Sequence, residues 1–100
     1  MSDDRLPGPL LRQLKSRGQL LKPVVHIGKD GLSDALVASV EQALLDHELI
    51  KVKFEARKDE KKALAPDLAT RTGSHLVQRV GNVAVLFRPR PDPEKRVVGG

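Results

Sequence analysis

The sequence is constrained most by a strand, a helix and a second strand that follow one another within residues 24–54. Residues 24–27 (VVHI) are rich in β-branched side chains and too few to form a helix, which predicts a strand. After Ser33, a favourable N-cap residue, the apolar residues fall on one stripe of a helix. Residues 50–54 alternate between apolar and charged side chains, which is typical of a strand with one solvated face. We therefore expect a βαβ unit with parallel strands and a right-handed crossover.

A further helix is predicted on each side of this unit. Residues 9–18 (PLLRQLKSRG) place leucines at helical spacing, with Pro9 in the first turn and Gly18 as the residue that ends the helix. The third helix is predicted to begin after Asp59 and to end at Gly73, which suits the left-handed conformation at a helix end.

Pro66 interrupts the pattern of this third helix. A proline in a helix interior costs about 3 kcal/mol, because it removes a hydrogen bond and clashes with the preceding turn. Two alternatives follow. Either the helix is kinked at Pro66, or it begins only one turn before Pro66 and residues 57–62 (RKDEKK) form a charged loop.

The last predicted feature is a hairpin, in which Gly81-Asn82 joins two strands within residues 75–88. The element order α-β-α-β-α-β-β predicts a two-layer α/β domain with a mixed four-stranded sheet. A chain of 100 residues fits one domain. We place that domain at residues 9–90, after a flexible N-terminus (residues 1–8) and before a disordered, proline-bearing tail (residues 91–100).

The composition narrows the class of function. A net charge of +5 and a pI near 9.9 favour a polyanionic partner, of which nucleic acid is the commonest. The chain has no cysteine, which excludes disulfides, thiolate chemistry and cysteine-rich zinc sites and fits a reducing compartment. No run of about 18 apolar residues and no secretory segment is present, so we expect a soluble cytoplasmic protein. Its three histidines lack metal-ligand spacing, so we expect no cofactor, no metal and no enzyme activity.

The strongest candidate site is the loop Gly28-Lys29-Asp30-Gly31, which leads from the first strand into the second helix. Backbone N–H groups and the helix dipole favour anions at such a helix N-terminus. Glycines would let a sugar-phosphate backbone come close, and Lys29 adds a positive charge. The loop is not a nucleotide-binding P-loop. The same two glycines could also serve the geometry of the turn alone.

Basic residues outside this loop form the second part of the candidate site. Lys51 and Lys53 share the outward face of their predicted strand, while Lys22, Arg88 and Arg90 flank the sheet in the sequence. Any one of these residues alone can equally be a solubilising surface charge.

Three blocks of sequence in order, LKPVVHIGKDGL, ALLDHELIKVKF and TGSHLVQRVGNVAVLFRP, resemble the YhbY family. These are stand-alone bacterial versions of the CRM (chloroplast RNA splicing and ribosome maturation) domain. The resemblance covers roughly residues 10–90 and implies the fold of the C-terminal domain of translation initiation factor three. That fold has the strand order 1-2-4-3, with the fourth strand antiparallel to the others.

The resemblance also implies RNA binding, since bacterial members are associated with precursors of the large ribosomal subunit. The family's Gly-x-x-Gly loop, similar to that of KH domains, corresponds to Gly28–Gly31, and its basic surface to Lys22, Lys51, Lys53 and Arg88. We therefore expect a monomeric, non-catalytic protein that binds structured ribosomal RNA and assists large-subunit assembly. We expect neither a membrane nor a small-molecule substrate among its partners. The alternative is a basic interaction module for an acidic ribosomal or assembly-factor protein.

Overall fold

The computed structural model of the protein describes residues 6–56 and 58–89. The order of helices and strands is the predicted one. Residues 1–5 of the expected flexible N-terminus (residues 1–8) and the expected tail at residues 91–100 lie outside the described residues, as do Arg57 and Arg90, whereas Gly8 is already the first residue of a helix. The elements are α1 (Gly8–Leu20), β1 (Val25–Ile27), α2 (Asp34–His47), β2 (Leu49–Phe54), a 3-10 turn (Lys58–Glu60), α3 (Lys61–Thr72), β3 (His75–Val80) and β4 (Val83–Phe87).

The four strands form one mixed sheet in the order β1-β2-β4-β3. Strand β1 pairs with β2 in parallel, and β4 pairs antiparallel with both β2 and β3. The predicted α/β class, strand order and strand directions are confirmed. The predicted hairpin is also present, because Val80 pairs with Val83 across the turn and Gly81 adopts a φ of 56° that favours glycine.

The larger core lies between the sheet and the helices α2 and α3. Apolar side chains of the sheet and of both helices are buried there, and the burial of each large side chain contributes about 1.5–3 kcal/mol. The predicted apolar stripe of α2 faces this core, with Val40 and Leu44 completely buried. The fully buried side chains also include Ile27, Val52, Phe54, Leu68 and Leu86.

Helix α1 packs on the opposite face of the sheet, so the expected two layers gain a third over part of the sheet. Its Leu14 is fully buried against Leu49, Val85 and Phe87. These side chains lie at the end of the sheet where β4 finishes. Toward the β3–β4 turn α1 does not cover the same face, and Val80 there is 55% exposed. Among the described residues, this part of the face is therefore available for contact with another molecule.

The prediction that Gly18 ends the first helix is wrong. The helix continues to Leu20, and Gly18 lies inside it, buried against the sheet. A Cβ added at Gly18 would stand 3.0 Å from both Cγ atoms of Val85. Glycine is therefore present for a close approach between helix and sheet, and the chain leaves the helix shortly before Pro23, where the α conformation is disfavoured.

The expected charged loop at residues 57–62 is wrong, because residues 58–60 form a 3-10 turn and Lys61 and Lys62 are already helical. Helix α3 begins at Lys61, after the one-turn 3-10 helix, and ends as predicted at Gly73 with a φ of 63°. Pro66 is the sixth residue of α3 and lies inside the helix, beyond the first four N–H groups that lack helical partners, so it removes one helical hydrogen bond. None of the helices within residues 6–56 and 58–89 has the length and the apolar composition needed to span a membrane.

The Gly18–Val85 contact predicts an effect of opposite sign in two backgrounds. In the natural sequence, Gly18→Ala should lower the free energy of unfolding by about 1 kcal/mol, because overpacking of about 1–3 kcal/mol exceeds the gain in helix propensity. In a Val85→Ala background the same change should raise it by about 1 kcal/mol. Urea unfolding of the four proteins tests this, and the same sign in both backgrounds would contradict it.

Candidate nucleic-acid interface

The loop between β1 and α2 is a tight turn. The N–H of Gly31 donates to the carbonyl oxygen of Gly28 at 3.0 Å. The helix that follows is capped as predicted, since the Ser33 Oγ accepts a hydrogen bond from the N–H of Leu36 at 3.1 Å. The loop therefore reaches the helix N-terminus within two residues of Gly31.

Glycine occurs at each end of the loop for a different reason. Gly31 is buried and has a φ of 61°, a left-handed conformation that costs other residues about 1–2 kcal/mol. Gly28 lies outside that region, and a Cβ added to it would meet no atom of residues 6–56 or 58–89 within 4 Å. The fold thus requires glycine at Gly31 only. At Gly28 the absent side chain leaves open space on the outside of the molecule.

A shallow cleft of about 270 Å³ adjoins this loop. It lies between the loop and the exposed side of α2, and small side chains form most of its wall. A chain backbone could therefore enter more easily than a bulky group. The lining residues are His26, Gly28, Lys29, Asp30, Gly31, Ser33, Ala35, Leu36 and Ser39.

The charges of the loop itself nearly cancel. Lys29 is exposed in the turn, but Asp30 follows it and Asp34 occupies the first turn of α2. A carboxylate at that position offsets part of the helix dipole. An anion in the cleft would therefore depend on positive charge from outside the loop.

Lys53 is the predicted site residue best placed to supply that charge. It lies opposite His26 in the β1–β2 register, and His26 lines the cleft. The Nδ1 of His26 lies 2.8 Å from Oε2 of Glu55, with both side chains about half exposed. Lys53 is exposed on the same face of the sheet and forms no ion pair with any residue in 6–56 or 58–89.

Lys51 and Lys22 lie together, but not at the loop. Both line a groove beside the last turn of α1, near the start of β1. Arg17 joins them there, a residue that the sequence interpretation missed. Its signal was present, since Arg17 is a basic residue in the last turn of a helix shortly before Lys22.

Arg88 is placed elsewhere and already has partners. Its guanidinium forms an ion pair with Glu41 of α2 and donates to the carbonyl oxygen of Thr72, the last residue of α3, at 2.7 Å. Its side chain is only 23% exposed. Arg88, the residue that follows β4, thus connects the middle of α2 and the end of α3 to the end of that strand, and the proposed surface does not include it. Arg90 lies outside the described residues.

Within residues 6–56 and 58–89, no group of three or more His, Asp or Glu side chains is arranged to hold a metal ion. His75 instead stacks near Phe87, with ring centroids 6.4 Å apart.

Comparison with known proteins places this geometry in context. The model of the CRS1/YhbY (CRM) domain family matches residues 6–88. The probable RNA-binding protein PA4753 of Pseudomonas aeruginosa is 42% identical over 87 residues, which cover 86% of this chain and 84% of the relative. The probable RNA-binding protein YqeI of Bacillus subtilis is 34% identical over 84 residues, covering 83% of this chain and 88% of that protein.

A solved structure has the same fold. The solution structure of SAV1595 from Staphylococcus aureus, a candidate RNA-binding protein, matches with a TM-score of 0.77 and 31% identity. The match covers 95% of this chain and all of that one.

The difference between the two loop glycines predicts different stability effects. Gly31→Ala should lower the free energy of unfolding by about 1–2 kcal/mol, because alanine is strained at that φ. Gly28→Ala should leave it unchanged or raise it by roughly 0.5 kcal/mol, because the unfolded chain loses freedom. Thermal unfolding of both variants measures the difference, and an equal loss at Gly28 would refute the assignment.

Proposed function

The chain belongs to the CRS1/YhbY (CRM) domain family, and on that premise we propose that it binds structured ribosomal RNA and assists assembly of the large ribosomal subunit in the cytoplasm, without catalysis. The observation that carries the proposal is the open side of Gly28. Neither its φ nor the described residues around it require glycine, which supports a close approach by another molecule at this position.

The proposed contact is between the loop and an RNA phosphate. The sugar-phosphate backbone would pass over Gly28 and enter the cleft beside Ala35 and Ser39, whose side chains are small and exposed. Loop amides and Lys29 would bind the phosphate. Lys53 would bind a neighbouring phosphate and compensate for the carboxylates near the loop.

The more distant lysines would act on the rate of association. Lys22 and Lys51 lie on the α1 side of the sheet and contribute to the net charge of +5. A positive field of this kind attracts a polyanion before contact and raises the on-rate, in a manner that salt screens.

The placement of the aromatic residues supports recognition of shape over sequence. The chain has two aromatic residues other than histidine, Phe54 and Phe87, and both are buried in the core. Stacking of exposed bases on such rings, on which many single-strand binders rely, is therefore not available. Affinity would come from phosphates, whose arrangement is most regular in a folded RNA.

Phosphate binding predicts a definite response to salt. With about four or five phosphates neutralised, the logarithm of the association constant should fall against log salt with a slope of roughly −3 to −4. Lys53→Gln should make the slope shallower by just under one, the share of about one phosphate. Fluorescence anisotropy with a labelled RNA hairpin measures both slopes.

The matched control for this experiment is Lys62→Gln. Lys62 is an exposed lysine on α3, which covers the opposite face of the sheet, so its removal should leave the slope unchanged. A flat salt response, or the same effect from both variants, would rule out the proposed surface.

The assembly role predicts a distribution in cells. On a sucrose gradient, the tagged protein should migrate with precursors of the large subunit, and Gly28→Ala should reduce that fraction about tenfold through weaker RNA contact. RNase treatment of the lysate should release the natural protein. Continued association after RNase would instead favour the alternative, a module that binds an acidic ribosomal or assembly-factor protein.

A further inference from the structure

A second concave surface lies at the other end of β1 from the Gly-x-x-Gly cleft. It is a groove of about 460 Å³ between the last turn of α1, the segment that leads into β1 and the start of β2. Val24 lines this groove, whereas His26 lines the cleft, so the two surfaces are separated by the short strand itself. The remaining lining residues are Arg17, Leu20, Leu21, Lys22, His47, Leu49, Ile50 and Lys51.

The groove exposes aliphatic side chains to solvent. Leu20 is 86% exposed and Val24 is 49% exposed, although both are large apolar residues. Exposed apolar groups that line a concave surface with polar residues at its edge are typical of an interaction site.

The charge of the groove has one sign. Arg17, Lys22 and Lys51 contribute three cations, and no aspartate or glutamate of residues 6–56 or 58–89 is among the lining residues. None of the three forms an ion pair with another residue in the described part of the chain. A negatively charged partner would therefore meet uncompensated positive charge.

The combination of exposed aliphatic side chains and uncompensated positive charge fits a peptide better than an RNA. Aliphatic side chains such as Leu20 offer a phosphate nothing, and among the described lining residues His47 is the single aromatic ring on which a base could stack. An acidic peptide with aliphatic side chains would satisfy both properties at once, because its apolar groups bury those of the groove and its carboxylates pair with the cations.

We propose that this groove binds a short acidic segment of a partner protein that carries aliphatic side chains. These side chains contact Leu20 and Val24, while the carboxylates pair with Arg17, Lys22 and Lys51. Because the groove and the RNA cleft lie at opposite ends of β1, one molecule of the protein can hold the peptide and the RNA together.

The test uses synthetic peptides and the full chain. Two fluorescein-labelled peptides of about 12 residues consist of glutamate and leucine, one with leucines alternating and one with leucines at helical spacing. Their controls replace every leucine by serine at equal charge. At least one leucine peptide should bind with a Kd of roughly 10–100 µM, about tenfold or more tighter than its serine control.

Variants then locate the binding surface. Leu20→Ser should weaken the leucine peptide about tenfold and leave RNA affinity unchanged. Val80→Ser is the matched control, because Val80 is an exposed aliphatic residue of the same sheet face that does not line the groove. A labelled peptide should remain bound when the RNA hairpin is added.

Each other outcome would overturn the proposal. Equal binding of the leucine and serine peptides would show that charge attraction alone explains the binding. No binding at a peptide concentration of about 1 mM would show that the groove does not bind such a peptide. Displacement of the peptide by RNA would assign the groove to the RNA surface. Sedimentation equilibrium that detects a dimer, dissociated by Leu20→Ser, would assign it to a second copy of the chain.

Discussion

The parallel pairing of the three-residue strand β1 with β2 is the constraint on which both candidate surfaces depend. Val25 and Ile27 bury their side chains in the main core, and backbone hydrogen bonds hold the strand at both ends. The Val24 N–H donates to the Lys51 carbonyl at 2.9 Å, and the Ile27 carbonyl accepts from Glu55 and Ala56. A strand this short is therefore fixed along its whole length, and each of its ends carries one concave surface.

The second determinant is the position of α1. Since Gly18 has no side chain, the helix lies close to Val85 and closes a small core over part of the sheet face. Elsewhere on this face, Lys53 and Val80 are exposed among the described residues. A larger residue at Gly18 would lift the helix end that forms one wall of the groove. The same glycine that stabilises the packing thus also shapes the groove.

Features set by neighbours in the sequence were predictable, and features set by distant contacts were not. Alternation and capping residues predicted the βαβ unit, the Ser33 cap and the end of α3 at Gly73. Gly18 was mistaken for a helix end, because the need for glycine at this position comes from the close contact with Val85 of the last strand. The role of Arg88 likewise depends on Glu41, a residue 47 positions away, and a sequence shows the charge but not its partner.

Burial of both phenylalanines has a consequence for specificity. A surface that binds mainly phosphates distinguishes RNAs poorly, because every RNA has them. Folded shape supplies part of the discrimination. A second, independent contact adds further discrimination. When two weak contacts are made to one assembly and their spacing matches, the first contact raises the effective concentration for the second, and the overall affinity exceeds that of either contact. A protein-binding groove at one end of β1 and an RNA cleft at the other provide that arrangement, so that stable binding would require an RNA and an acidic protein segment that already lie side by side.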